Sequence, residues 1–231
     1  MDPLRVVDIF FQLIVFLFAI SLHESAHAWM ANRCGDPTAR MLGRITLNPL
    51  KHIDPVGTVL LPLISMATHL PAFGWAKPTP VDPHNFKNPV LDDIKTSVVG
   101  PVSNFLIACV ALTLLLVVSM ISATGREIVR ILPYAYRMGV LDLGSSPFVP
   151  LVLMLYQFMW INLVLGVFNL IPVPPLDGSH VLRHFLPDSA RRAYDAFGVF
   201  GLIALVFAGG RLLGGLFGPV IGLFNSIAMR L

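Results

Sequence analysis

Three side chains near the amino terminus have the types and the spacing of a zinc site. His23 and His27 flank Glu24 in an H-E-x-x-H pattern, within an apolar run that lacks Gly and Pro and is therefore predicted to be helical. Residues four apart share a helix face, so both imidazoles can reach one metal ion. Glu24 then lies beside the metal, where it can take a proton from an attacking water and pass it to a leaving amine.

A catalytic zinc needs three protein ligands and one open position, so a third ligand must come from elsewhere in the chain. Asp177 is a candidate because it directly follows an apolar run and the proline-rich segment 172–175. His180 and His184, at helical spacing just beyond, compete with it. Three further histidines occur singly and are interpreted as structural: His52, His69 and His84. The residues alone leave the third ligand open.

The composition identifies a membrane protein. Of 231 residues, 55% are hydrophobic and 13% charged, with a mean hydropathy of +0.76, whereas soluble proteins average roughly 25% charged residues. No Asp, Glu, Lys or Arg occurs at 55–76, 96–125 or 143–176, and the last two runs exceed the ~20 residues of a spanning helix. A soluble domain, a disordered chain and a nucleic-acid binder are excluded. Cys34 and Cys109 share no metal-type spacing.

The apolar pattern predicts how the chain crosses the membrane. Spans are expected at about 6–32, 96–123 and 149–170, each ending near Gly, Pro or a polar loop. Residues 196–229 hold eight glycines and are either one long kinked helix or two short ones.

Two segments are predicted to be less regular. Residues 55–76 are broken by Pro and Gly, which favours a re-entrant or shallow segment. The alternation at 44–47 predicts a short interfacial strand. The expected fold is an all-α polytopic membrane protein with about 4–6 membrane segments and a small interfacial β element, in a single domain over 1–231.

The basic residues predict an orientation. The region 31–95 carries seven Lys and Arg, whereas 121–149 and 178–195 carry three each. Because loops rich in Lys and Arg face the cytoplasm, 31–95 and 178–195 are expected inside and the amino terminus outside. The ends of the first and third spans then meet at the cytoplasmic face.

Two further segments carry recognisable patterns. Gly100-Pro101-Val102-Ser103-Asn104 opens the predicted span at 96–123, and Asn169 to Gly178 follows the next span. Together with His23 to His27 and the segments 46–58 and 74–78, they make most of the chain resemble the site-2 proteases. These are intramembrane zinc metalloproteases that cut transmembrane helices of other proteins. The resemblance is to the compact prokaryotic branch, which lacks a PDZ domain.

The resemblance implies a complete site. His23, His27 and Asp177 would be the zinc ligands, Glu24 the general base, and Asn169 and Asn104 polar residues that line the site. It implies one zinc ion per chain. An amide N–H aimed at a developing oxyanion would stabilise the tetrahedral intermediate. The alternative for both asparagines is hydrogen bonding between helices.

The leading interpretation is an intramembrane zinc metalloprotease that hydrolyses peptide bonds in or near transmembrane segments, as in regulated intramembrane proteolysis. The expected partners are a single-span membrane protein as substrate and the lipid bilayer, with no nucleic acid. The expected location is a prokaryotic cell membrane, with the active site toward the cytoplasm. The alternative is a membrane zinc transporter or metal-sensing protein. Glu24 favours the protease, because hydrolysis requires a base and transport gains little from one.

Overall fold

The computed structural model describes residues 3–60, 76–139, 143–144 and 146–230, and these residues form helices and turns without a β-strand. Their α-helices are α1 (Pro3–Cys34), α2 (Thr38–Met41), α3 (Pro89–Ile121), α4 (Ala123–Met138), α5 (Phe148–Asn169), α6 (Asp177–Arg183), α7 (Asp188–Ala208) and α8 (Gly210–Met229). Short 3₁₀ turns lie at Pro49–Lys51 and Pro83–Asn85, and a π-helical turn at Pro55–Leu60. The expectation of an all-α fold is confirmed.

Four helices of the described chain are long and apolar enough to cross a membrane: Val6–Cys34 in α1, then α3, α5 and α8. Four candidate spans confirm a polytopic protein and lie at the lower end of the expected 4–6 membrane segments. The region 196–229 is divided between α7 and α8, with Gly209 between them. Within α7, the backbone of Gly198 leaves helical geometry, so the helix bends there.

The predicted interfacial strand at 44–47 is wrong. The Thr46 carbonyl accepts hydrogen bonds from Ser25 Oγ and from His52 Nε2, the latter at 2.9 Å. The Thr46 amide donates to Ser25 Oγ at 3.3 Å. The N–H and C=O groups of Thr46 are therefore hydrogen-bonded to side chains, so they cannot pair with a neighbouring strand.

The helix α3 begins seven residues before the predicted start at 96. Its first turns are polar but internally satisfied, because the Asn88 amide donates to Asp92 Oδ2 at 2.9 Å and Lys95 pairs with Asp92 at 3.0 Å. Hydropathy marks only the apolar part of a helix, so Gly100 and Pro101 lie inside α3 and do not open it. Beyond Leu60, the predicted re-entrant segment and His69 lie outside the described residues.

The chain packs into two compact units. One comprises Met1–Ala19, Asn104–Leu165 and Gly214–Leu231, and its core includes fully buried Leu115, Leu132, Leu153, Met159 and Leu163. The other comprises Ile20–Ser103 and Gly166–Leu213. This second unit contains all the expected metal ligands. The single domain over 1–231 stays a prediction.

Candidate metal centre

The structure brings His23, His27 and Asp177 together within the second unit. Their ligand atoms all lie within 4.8 Å of one another, the one such group of three in the described part of the chain. The two Nε2 atoms are 3.0 Å apart. Asp177 Oδ2 lies 3.1 Å from Nε2 of His23 and 3.4 Å from Nε2 of His27.

These distances fit a zinc ion. Ligand atoms about 2.0–2.1 Å from a tetrahedral zinc lie about 3.3 Å from one another, close to the three separations observed. Asp177 Oδ2 is buried and accepts no hydrogen bond from the described residues, and a buried carboxylate oxygen without one is costly unless a cation compensates.

The orientation of His27 is set by α3. Its Nδ1 lies 2.6 Å from the Thr96 carbonyl oxygen, which can only accept a hydrogen bond. Nδ1 therefore carries the proton, and Nε2 presents its lone pair toward His23 and Asp177. The carbonyl of Thr96 fixes the tautomer that a metal ligand needs.

Gly100 on α3 permits the imidazoles to approach this helix closely. A Cβ at position 100 would overlap His27 Nε2 and would lie 2.7 Å from His23 Cε1. Because real side chains do not make such contacts, even alanine would displace the ligands.

Asp177 is placed by contacts at both ends of α6. A Cβ at Gly178 would overlap the Leu170 carbonyl and lie 2.8 Å from the Ile171 oxygen, so only glycine lets α6 begin against this backbone. Just after α6, His184 Nε2 lies 2.7 Å from Asp93 Oδ2 on α3. Asp93 thus connects α6 to the helix that orients His27.

Glu24 is held by a loop that is remote in sequence. Its Oε2 accepts hydrogen bonds from Thr79 N at 2.9 Å and from Thr79 Oγ1 at 2.7 Å. Glu24 follows His23 directly on α1, so the carboxylate lies next to the candidate metal ligands in the chain. These two donors restrict rotation of the Glu24 carboxylate, and Oε1 takes part in neither bond.

The loop that carries Thr79 is anchored on both sides. Before it, the buried guanidinium of Arg44 donates to the carbonyl oxygens of Lys77 and Pro78, the latter at 2.8 Å. After it, buried Asp36 accepts from Asp82 N at 2.8 Å and from Asn85 Nδ2 at 3.0 Å. Thr79 is therefore held on a fixed support.

The two asparagines differ in placement. Asn169 is the last residue of α5, half-buried, in the unit that contains the metal ligands. Asn104 is fully buried in the other unit, where its Nδ2 donates to Asn162 Oδ1 at 3.1 Å. This bond joins α3 to α5, which is the structural alternative for Asn104. The catalytic roles of both residues stay predictions.

Of the remaining histidines that the structure describes, none belongs to the three-residue group. Both competing ligands face Asp93 instead: His180 Nδ1 lies 3.8 Å from Asp93 Oδ1, and His184 Nε2 contacts Oδ2. The Asp93 carboxylate raises the pKa of His180. His52 is buried, bonded to Thr46, and burial lowers its pKa. His84 is exposed.

Sequence reasoning missed Thr79, Thr96 and Asp93. Thr96 acts through its backbone carbonyl, which no residue type reveals. Thr79 lies 55 residues from Glu24, in a proline-rich loop whose composition indicates only a turn. Asp93 was the one that could have been found, as an acidic residue just before a membrane span.

A protein-family model and several curated proteins each match most of the chain. The family model described as Peptidase family M50 matches residues 11–208. The chain is 36% identical over 200 residues to "Putative zinc metalloprotease YwhC" of Bacillus subtilis, covering 85% of this chain and 78% of that protein. It is 27% identical over 227 residues to "Putative zinc metalloprotease Rip2" of Mycobacterium tuberculosis, covering 97% of this chain and 77% of that protein. No solved structure matches the chain.

Proposed function

The chain belongs to peptidase family M50, the site-2 protease family, and we propose that it hydrolyses peptide bonds in or near transmembrane segments of other membrane proteins. It is a membrane zinc metalloprotease. The observation that carries the proposal is that His23, Glu24 and His27 lie on a helix able to cross a membrane, with Asp177 beside the imidazoles. The proposal places the site where a substrate helix in the bilayer can approach it.

In the proposed mechanism, His23, His27 and Asp177 hold one zinc ion per chain. When bound, zinc polarises the scissile carbonyl and lowers the pKa of the attacking water. Glu24 takes the proton from this water and delivers it to the leaving amine nitrogen. Thr79 keeps the carboxylate in place through its two hydrogen bonds. Asn169 and Asn104 are proposed to line the site, where an amide N–H can donate a hydrogen bond to the developing oxyanion.

We propose that the substrate is a single-span membrane protein, as in regulated intramembrane proteolysis. An intact helix hides its carbonyl groups in its own hydrogen bonds, so a substrate helix must unwind locally before Glu24 and the metal can act. Residues 1–231 are proposed to act as one protease domain.

Cleavage by the purified protein tests this proposal. The protein is reconstituted in vesicles with a panel of tagged single-span proteins, and fragments are identified by mass spectrometry. We expect a cut within or beside the span, loss of cleavage after chelation and recovery when zinc is restored. Zinc uptake into the vesicles without cleavage of any panel member would contradict the proposal in favour of transport.

Removal of the Thr79 hydroxyl is expected to slow cleavage without loss of zinc. Thr79→Val keeps the side-chain shape and the amide donor but removes the Oγ1 donor to Glu24. A hydrogen bond to a charged group contributes about 1.5–3 kcal/mol, so kcat should fall roughly 10- to 100-fold. Cleavage rate and zinc content are measured on the same preparation.

Two variants serve as controls for Thr79→Val. Thr79→Ser retains the donor and should restore most of the rate. Thr113→Val removes a hydroxyl that donates to the Cys109 carbonyl within α3, and it should leave kcat unchanged. A Thr79→Val protein that cleaves at the wild-type rate would show that the hydroxyl does not position Glu24.

We propose that the site opens toward the cytoplasm of a prokaryotic cell, and cysteine labelling tests this. With Cys34 and Cys109 replaced by Ser, Asn88→Cys is expected to react with an impermeant maleimide only after cells are permeabilised. Glu127→Cys is the matched control, because it is exposed on α4 and α3 separates it from Asn88. It should react in intact cells. The opposite labelling pattern would reverse the orientation.

A further inference from the structure

The helix α4 has two chemically different faces. Its buried face consists of small and apolar residues: Gly125, Ile128, Val129, Leu132 and Ala135. Its exposed face carries Arg126, Arg130 and Arg137. At about 100° per residue, these three arginines fall within an arc of about 40° and extend over about 16 Å of helix axis. They form an arginine stripe, a name used below for these three residues.

The arginine stripe belongs to a helix that begins where a membrane span ends. The candidate span α3 ends at Ile121, and α4 starts at Ala123 after the N-cap Ser122, whose Oγ accepts from Gly125 N at 3.0 Å. With 16 residues and four charges, α4 cannot itself cross the bilayer. Because α4 starts directly after a span, its first turns lie at the level of the headgroups, while its apolar face packs in the protein core.

The residues beside the stripe suit the boundary between headgroups and acyl chains. Ile131, Tyr134 and Met138 follow the arginines around the exposed face and are 45%, 58% and 76% exposed. Tyrosine is enriched at this depth, where its ring is apolar and its hydroxyl is hydrated. The face thus presents cations on one side and, on the other, apolar groups with Glu127 among them.

The stripe keeps an excess of positive charge, because α4 holds three arginines and one glutamate. The ion pairs formed within the described part of the chain include none of its three arginines. Glu127 is the one acidic residue of α4. Arg126 donates through Nε to the Ser119 carbonyl at 3.0 Å, a bond that does not use its Nη donors. Arg126, Glu127 and Arg130 also line a recess of about 360 Å³.

We propose that the arginine stripe binds the phosphate groups of anionic phospholipids. Guanidinium groups match phosphate oxygens in charge and in paired hydrogen-bond geometry. The bilayer places such phosphates at the level of α4 wherever α3 crosses it, so no further partner has to be assumed. Each basic residue near an anionic surface contributes about 1 kcal/mol, so the stripe favours anionic over zwitterionic lipid.

Lipid binding by a double variant tests the proposal. Arg130→Gln with Arg137→Gln removes two cations and leaves the bond from Arg126 to Ser119 intact. Purified protein in neutral detergent is titrated with phosphatidylglycerol, and bound lipid is counted by native mass spectrometry. We expect the affinity of the double variant for this lipid to fall by roughly 30-fold, with the binding of phosphatidylcholine unchanged.

The control removes the same charge elsewhere. Arg40→Gln with Arg192→Gln changes two exposed cations outside α4 and should leave the affinity for phosphatidylglycerol unchanged. Zinc content and thermal stability in lipid-free detergent should match the wild type in both variants. Equal lipid affinity of the wild type and the stripe variant, or an equal loss in the control, would overturn the proposal. So would competition by millimolar inorganic phosphate, because the site would then bind the free anion.

Discussion

The substitution Glu24→Gln is expected to abolish detectable cleavage while zinc remains bound. The amide oxygen of glutamine can still accept the hydrogen bonds from Thr79 N and Oγ1, so the side chain should keep its position. It cannot take a proton from water at neutral pH. General-base catalysis by a positioned group contributes about 10²–10⁴ in rate, which places the variant at or below the background of a fragment assay.

The measurement combines cleavage, zinc content and a matched control. Glu127→Gln replaces the only other glutamate of the chain, on the exposed face of α4, and should cleave at the wild-type rate. Zinc determined by plasma emission should be the same in the wild type and both variants. A Glu24→Gln protein that retains zinc and cleaves normally would refute the assignment of Glu24 as the base.

The part of the site within one helix could be predicted from the sequence. His23 and His27 are four residues apart, and helix geometry alone places them on one face. Their Nε2 atoms are indeed 3.0 Å apart. Asp177 is harder, because its position depends on how α6 packs. The residue pattern leaves it in competition with His180 and His184, and only the family resemblance implies Asp177.

The supports of the site could not be predicted, because they depend on contacts between distant segments. Arg44 stabilises a loop more than 30 residues away through backbone carbonyls, and nothing in that loop's composition indicates it. The strand predicted at 44–47 is wrong for the same reason: the sequence pattern carries no information about contacts with distant segments. Alternation describes which side chains face the core, but it does not reveal that Ser25 and His52 occupy the hydrogen-bonding groups of Thr46.

The substitution Asp177→Ala is expected to remove zinc and, with it, activity. Asp177 supplies the one oxygen ligand of the three-residue group. Without it, His23 and His27 leave a two-ligand site that zinc does not occupy stably. We expect the zinc content to fall from near one equivalent per chain to below about 0.1. Cobalt substitution gives a second readout, because the visible absorption of bound cobalt changes with its ligands.

The competing ligand provides the decisive control for Asp177→Ala. His180 lies three residues along α6, but it faces Asp93 at 3.8 Å and is not part of the group formed by His23, His27 and Asp177. His180→Ala should therefore keep one equivalent of zinc and an unchanged cobalt spectrum. Asp177→Asn should behave like Asp177→Ala, since a neutral amide is a poor zinc ligand. If Asp177→Ala retains a full equivalent and His180→Ala loses it, the third ligand is His180, and the fit of the three distances to a tetrahedral zinc is accidental.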